Sequence, residues 1–221
     1  MDRKKQFAVL GLGRFGRNVA LSLEQMGYDV LGVDRDENIV EELSETLTQV
    51  VSFDIREVKA LERIGISKFD TVIIASTNLE TSLMATMICK EKNVPEIIVK
   101  AIDERHAEMA RKLGATAVVF AERDMARRVA AHLASSNVVD YIDIGSDINI
   151  LSLSVPKKFV GKNLIQANFR SDYNVNIIAI TKGHETLVTP PPDYVFAPDD
   201  KIFVIGTPDA LAIFDRDMTD F

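Results

Sequence analysis

The chain has 221 residues, 47% of them hydrophobic and 27% charged, which suits one large α/β domain or two small ones. The formal net charge of −7 argues against a nucleic-acid partner, because the phosphate backbone attracts basic surfaces. No apolar run approaches the ~18 residues of a membrane span and no signal peptide is visible, so we expect a cytoplasmic protein.

A strand, a glycine-rich turn and a helix open the chain. The apolar run Gln6–Leu10 is followed by Gly11, Gly13 and Gly16 in the spacing G-x-G-x-x-G. Gly11 allows a tight turn, Gly13 lets the backbone approach a phosphate, and Gly16 lets the helix pack closely on the strand. The free N–H groups at the start of the helix are expected to bind that phosphate.

A second apolar strand at 29–33 ends at Asp34, whose carboxylate can accept hydrogen bonds from a ribose. This order of elements predicts a nucleotide site rather than a glycine-rich turn without a ligand. Arg14 lies at the positive end of the helix dipole, which favours contact with a distal phosphate over a solvated position. Arg35 follows the acid and raises the alternative of a 2′-phosphate, but a surface arginine fits equally, so NADP is not the expected ligand.

Alternating strands and helices continue to about residue 135. Short strands rich in Val and Ile, separated by helices, imply a Rossmann-like doubly wound parallel sheet. The further strands are predicted at 49–53, 71–75, 97–100 and 117–120, and the helices after the second strand at 37–47, 57–64, 79–93, 103–113 and 121–135.

Residues at the carboxyl ends of these strands are candidates for the site, because ligands of open α/β sheets bind there. Asp54 ends the third strand and is expected to bond the adenine edge, or else to cap the next helix. Lys100 ends the fifth strand and is expected to meet a phosphate or an acid in the cleft. The predicted nucleotide site comprises Gly11, Gly13, Arg14, Phe15, Gly16, Asp34, Arg35, Asp54, Ile55, Ala75, Ser76, Thr77, Asn78 and Lys100.

Residues with reactive side chains give little sign of catalysis. Cys89, the single cysteine, falls in an apolar helical pattern, where we expect a buried thiol and no disulfide. His106 and His132 lie on charge-rich helices, where we expect a solvated face. No Tyr-x-x-x-Lys pair is present, so the chain lacks the acid–base group that a nicotinamide-dependent oxidoreductase needs.

The pattern changes near residue 136, after a polar break. The remainder is rich in strands and indicates a smaller α+β domain, so the predicted domains are 1–135 and 136–221. A hairpin turn is expected at 182–184. The predicted strands are 138–144, 148–155, 176–180, 186–188 and 201–205, with short helices at 163–167 and 209–216.

The order of motifs along both halves resembles the bacterial potassium-uptake regulators of the Ktr/Trk type. These are RCK proteins with TrkA-N and TrkA-C domains, and the likeness is to the soluble gating-ring subunit. The segments that carry it are QFAVLGLGRFG at 6–16, LGVD at 31–34, IGISKFD at 64–70, AERDM at 121–125, FRSDYNVNIIA at 169–179 and DDKIFVIG at 199–206.

The resemblance implies a regulatory subunit rather than an enzyme. It would sense ATP or ADP, with NAD or NADH as alternatives, and form an octameric ring on a membrane potassium channel or transporter. It also implies that Glu122 lies near the phosphates of a neighbouring subunit's nucleotide and helps to hold Mg²⁺ or Ca²⁺. An NAD-dependent oxidoreductase and an NAD(H)-sensing redox regulator remain as alternatives, although no basic recognition helix is evident.

A second ligand is implied in the C-terminal domain, because some relatives bind cyclic di-AMP between two subunits. The corresponding residues here are Arg170, Asn174, Asn176 and His184. Where those relatives carry R-x-K-Y-G, this chain has RSDYN and loses one cation. Two further departures are FDIR at 53–56 in place of a G-D-A-T turn, and FAE at 120–122 in place of H-P-E.

Overall fold

The computed structural model describes residues 4–134, 138–145, 148–183 and 185–219. The chain divides into two compact units, residues 1–122 and 123–221. In the described residues, no helix is both long and apolar enough to cross a membrane.

The first unit is built on a parallel sheet, which confirms the predicted doubly wound fold. Its spatial strand order is β3-β2-β1-β4-β5-β6. Leu10 lies opposite Val33 on one side and Ile74 on the other, so the central strands end level with one another. The strands are β1 (Gln6–Leu10), β2 (Asp29–Asp34), β3 (Gln49–Ser52), β4 (Thr71–Ile74), β5 (Glu96–Lys100) and β6 (Ala117–Val119).

Helices connect these strands, and polar caps fix where several of them begin. The side chains of Asp36, Asn78 and Asp103 each accept a hydrogen bond from a backbone N–H of the following turn. The helices are α1 (Arg14–Gln25), α2 (Glu37–Leu43), α3 (Val58–Arg63), α4 (Leu79–Glu91) and α5 (Glu104–Leu113), and α6 (Ala121–Ala134) begins at the end of this unit and continues into the second.

Two sequence-based expectations in this unit need correction. Helix α2 ends at Leu43 rather than 47, because Ser44 donates its hydroxyl back to the Glu41 carbonyl and Leu47 packs into the core instead. His106 is not solvated but fully buried, with Nε2 3.0 Å from Ser82 Oγ and burial lowering its pKa. The side chain of His132 lies outside the described part.

The second unit holds an antiparallel sheet, most of α6 and three further α-helices within its described residues, which confirms the smaller α+β domain. Its strand order is β10-β9-β11-β8-β7. At the predicted hairpin, Lys182 and Glu185 lie opposite each other in adjacent antiparallel strands. The elements are β7 (Val138–Gly145), β8 (Ile148–Ser154), α7 (Leu164–Ala167), α8 (Phe169–Tyr173), β9 (Asn176–Lys182), β10 (Glu185–Val188), β11 (Lys201–Gly206) and α9 (Pro208–Thr219).

Aromatic rings fill the core of this second unit. Phe169 packs against Phe159, Phe196 and Phe214, with ring centroids 4.5, 5.7 and 5.6 Å apart. The four rings are all buried, and edge-to-face contacts of this kind stabilise a small core beyond simple area burial. The sheet and its helices therefore have a hydrophobic core of their own.

Candidate functional site

A cavity of about 480 Å³ lies at the carboxyl ends of the strands in the first unit. This volume falls in the range of small-molecule sites. Its walls come from the loop after β1, the ends of β2, β3, β4 and β5, and the start of α6. A doubly wound sheet places its ligand at this edge.

The glycine loop is packed tightly against the end of β4. Gly11 has a φ of +96°, and a β-carbon there would lie 3.2 Å from the Ser76 nitrogen. A β-carbon on Gly16 would overlap the carbonyl oxygen of Gly11 and press on Ala75. These two glycines are thus needed by the loop itself, whatever ligand it binds.

Asp34 holds the same loop from the end of β2. Its Oδ2 accepts a 2.6 Å hydrogen bond from the backbone nitrogen of Leu12, and its Oδ1 accepts one of 3.0 Å from Asp36. Leu12 is fully buried, so this carboxylate satisfies a donor that water cannot reach. Each oxygen retains a lone pair that can accept from a ribose hydroxyl.

Arg14 is exposed at the first position of α1, after Gly13 as N-cap. The first turn of the helix contains no acidic residue. Within the described residues, no carboxylate pairs with the Arg14 guanidinium, which lines the cavity. A cation and free helix N–H groups at one point form a suitable environment for a phosphate group.

Lys100 brings a second cation to the cavity, and this one is buried. Its residue is only 5% exposed, its Nζ lies 2.5 Å from Glu122 Oε1, and it stands 5.6 Å from the ring centroid of Phe15. The hydrogen bond from Lys100 lowers the pKa of Glu122. Glu122 itself is 73% exposed at its side chain, so the pair joins a buried cation to a solvated anion.

Asp54 is engaged by an arginine two residues further along the chain. Arg56 Nη2 lies 2.6 Å from Asp54 Oδ2, and this contact lowers the pKa of Asp54 to about 2. Glu57 holds the N-cap position of the next helix, without a side-chain hydrogen bond, so Asp54 does not serve as its N-cap.

The cavity brings together every predicted nucleotide-site residue except Gly16, which is buried behind the loop. It adds Phe53, Arg56 and Thr81, which sequence reasoning did not include. Arg56 had a signal in the sequence, because it is the cation in the unusual FDIR segment at 53–56. Thr81 had no such signal, and it reaches the cavity because it lies in the first turn of α4. The predicted residues along the wall are Gly11, Gly13, Arg14, Phe15, Asp34, Arg35, Asp54, Ile55, Ala75, Ser76, Thr77, Asn78, Lys100 and Glu122.

Three of the predicted second-ligand residues lie on the surface of the second unit. Arg170 on α8, Asn174 after it and Asn176 at the start of β9 are all exposed. Asp172 accepts a hydrogen bond from Asn168, and the described residues show no ion pair between Asp172 and Arg170. His184 lies outside the described residues.

Clusters of three or more His, Cys, Asp or Glu side chains suited to a metal ion are absent from the described part of the chain. A cation beside Glu122 would therefore need phosphate and water oxygens for its remaining ligands, as Mg²⁺ commonly does.

The fold and the cavity define a protein of the Rossmann-like nucleotide-binding class that carries a small α+β unit after it. Models of the TrkA-N domain and the TrkA-C domain match residues 7–121 and 150–218. The chain therefore belongs to the TrkA-N/TrkA-C family of potassium uptake proteins, which confirms the resemblance seen in its motifs. This is a family of regulatory subunits rather than of oxidoreductases.

Full-length relatives agree with this assignment. The chain is 35% identical over 214 residues to Ktr system potassium uptake protein C of Bacillus subtilis (strain 168), covering 96% of this chain and 97% of that protein. It is 34% identical over 205 residues to Ktr system potassium uptake protein A of the same organism, covering 92% of each. The GsuK channel shares the fold, with a TM-score of 0.71 at 18% identity over 99% of this chain and 40% of that one.

Proposed function

We propose that this protein is the nucleotide-sensing regulatory subunit of a membrane potassium channel or transporter. The observation that carries the nucleotide part is the cavity, where a glycine loop, the carboxylate of Asp34 and two cations meet. The potassium part rests on the Ktr system relatives, which match this chain over nearly their full length. We assign residues 1–135 to the nucleotide-binding domain and 136–221 to a second ligand-binding and dimerisation domain.

ATP or ADP is the proposed ligand, bound without chemical turnover. The cations Arg14 and Lys100 favour a ligand with distal phosphates, and the cavity lining contains no histidine or tyrosine among the described residues. NAD and NADH are the alternatives, and GsuK has been solved bound to NAD. A thermal-shift screen with ATP, ADP, NAD and NADH would rank them, because a ligand at about 100 times its Kd adds about 2.7 kcal/mol to the free energy of unfolding.

Replacing Arg14 with alanine should weaken ATP binding by about tenfold or more while leaving adenosine binding unchanged, because only ATP offers distal phosphates. Isothermal titration calorimetry with both ligands measures this difference. Equal weakening of ATP and adenosine would show that Arg14 does not contact phosphate.

We further propose a homo-octameric ring, located in the cytoplasm at the inner face of the membrane through its partner. Exchange of one nucleotide for another would bias two ring shapes through different phosphate contacts. Light scattering of the full chain at micromolar concentration, with and without ATP, should give a mass near eight times the 24.5 kDa of one chain. A monomer under both conditions would refute the ring.

A divalent cation is proposed at Glu122, where it would bridge this carboxylate to the phosphates of a neighbouring subunit's nucleotide. Support comes from the Glu122 side chain, which is solvent-exposed and lines the cavity. Mg²⁺ or Ca²⁺ would supply positive charge to the phosphates.

Cyclic di-AMP stays a prediction for the second domain. The exposed Arg170, with Asn174 and Asn176 beside it, offers one cation and two amides to a phosphate or base. Calorimetry on the full chain saturated with ATP should show heat from cyclic di-AMP that Arg170→Ala removes and Arg14→Ala does not. Absence of heat at tens of micromolar ligand would leave this domain as an assembly module.

A further inference from the structure

An arginine at the wall of the cavity plays no part in the phosphate contacts proposed above. Arg56 Nε lies 3.0 and 3.1 Å from the two carboxylate oxygens of Asp54, and Nη2 lies 2.6 Å from Oδ2. Because a guanidinium is planar, contact along one edge fixes the orientation of the whole group. The Arg56 side chain is still 39% exposed, so the faces of the guanidinium can make other contacts.

A second carboxylate approaches Arg56 from helix α4. Nη1 lies 3.6 Å from Glu80 Oε1. The backbone nitrogen of Arg56 also donates to Asp54 Oδ1 at 3.0 Å. The guanidinium is therefore held from two sides, and both oxygens of Asp54 already accept hydrogen bonds without a ligand.

The strand order shows which part of a nucleotide reaches Arg56. The glycine loop follows β1, Asp34 ends β2, and Arg56 follows β3, which is the next strand outward. Neighbouring strands lie about 4.8 Å apart. A ligand with its phosphates at the glycine loop and its ribose at Asp34 therefore extends its base towards the end of β3.

We propose that Arg56 is the base-recognition residue of this cavity, stacking its guanidinium on the face of the purine while Asp54 acts through it as a positioning residue. This inference rests on the proposed nucleotide function and adds the specificity determinant of the same site. Arginine stacks well on aromatic faces, and its cation attracts the π-system. Each carboxylate oxygen of Asp54 already accepts two hydrogen bonds from Arg56, so Asp54 is poorly placed to accept from the base edge itself.

Calorimetry of the full chain with adenosine and with ATP tests the role of Arg56. Arg56→Ala should weaken both ligands by the same factor, about fivefold to thirtyfold, because the loss occurs at the base. Arg56→Lys should recover little of this affinity, since it restores the charge without the plane. Arg17→Ala is the matched control, because Arg17 is also clamped by a carboxylate, at 2.7 Å from Glu42, but does not line the cavity.

A double-mutant cycle tests the role of Asp54. If Asp54 acts through Arg56, the variant Asp54→Ala with Arg56→Ala should bind adenosine no more weakly than Arg56→Ala alone. If the double variant instead loses adenosine affinity by the product of the two single-variant factors, the positioning role of Asp54 is overturned. If the wild type binds nucleotides and Arg56→Ala binds adenosine as tightly as the wild type, the inference about Arg56 is overturned and the proposed function stands. If the wild type binds no nucleotide, the proposed function is overturned together with the inference.

Discussion

Replacing Gly16 with alanine is expected to lower the free energy of unfolding by about 2–3 kcal/mol and to abolish nucleotide binding. The added β-carbon would overlap the carbonyl oxygen of Gly11, which belongs to backbone and cannot rotate away. Gly11 is in turn packed against the end of β4, so the whole loop has to shift. Urea denaturation measures the stability, and calorimetry with ATP measures the binding.

Gly13→Ala is the matched control for this substitution. Gly13 has φ −61° and ψ −178°, which alanine adopts readily, and a β-carbon there would meet no atom within 4 Å. Stability should therefore stay within about 0.5 kcal/mol of wild type. ATP affinity should nevertheless fall, because the methyl group occupies the space through which a phosphate approaches the backbone. A stable Gly16→Ala protein that binds ATP normally would contradict the close packing described for the loop.

Lys100→Met is expected to weaken ATP binding by about tenfold to a hundredfold, because the variant loses one charge-assisted hydrogen bond from a buried cation to a phosphate. Folding stability should change little, because methionine fills the same buried volume and the partner carboxylate of Glu122 is exposed to water. Calorimetry with ATP and adenosine separates the phosphate contribution, since adenosine should bind as before. Thermal unfolding checks the stability.

Glu122→Gln distinguishes two roles of the Glu122 carboxylate, which are pairing with Lys100 and holding a divalent cation. In EDTA, the Glu122→Gln variant should bind ATP at least as tightly as the wild type does, because Lys100 is no longer paired with a carboxylate. With Mg²⁺ present, the same variant should bind ATP more weakly if Glu122 holds the cation. Unaltered ATP affinity in Lys100→Met would mean that Lys100 serves only as the counter-ion of Glu122.

The sequence predicts the first unit well because its signals are local and repeated. Each strand is a short apolar run, and the glycines and capping acids that end or begin helices stand at recognisable spacings. Asp36 and Gly114 are examples, the first accepting from the next turn of α2 and the second ending α5 with a φ of 114°. The candidate site follows from the same logic, since parallel strands bring their carboxyl ends to one edge.

What the sequence did not predict depends on contacts between elements distant along the chain. His106 looks solvated on its own helix, and its burial appears only once α4 supplies Ser82 as a partner. The pairing of Lys100 with Glu122 likewise depends on where α6 begins relative to β5. Helix α8 was missed because five residues after the left-handed Asn168 are too short to show helical periodicity.

The double engagement of Asp34 bears on how cofactor preference can evolve in this protein. In Rossmann-type proteins an acid at the end of the second strand suits a ribose 2′-hydroxyl, whereas a nearby arginine accommodates a 2′-phosphate. Here the same carboxylate accepts the hydrogen bond from the buried nitrogen of Leu12. Losing it would leave that donor without an acceptor, at a cost of about 1–3 kcal/mol. In this protein, replacing the acid to suit another ligand would therefore also destabilise the glycine loop.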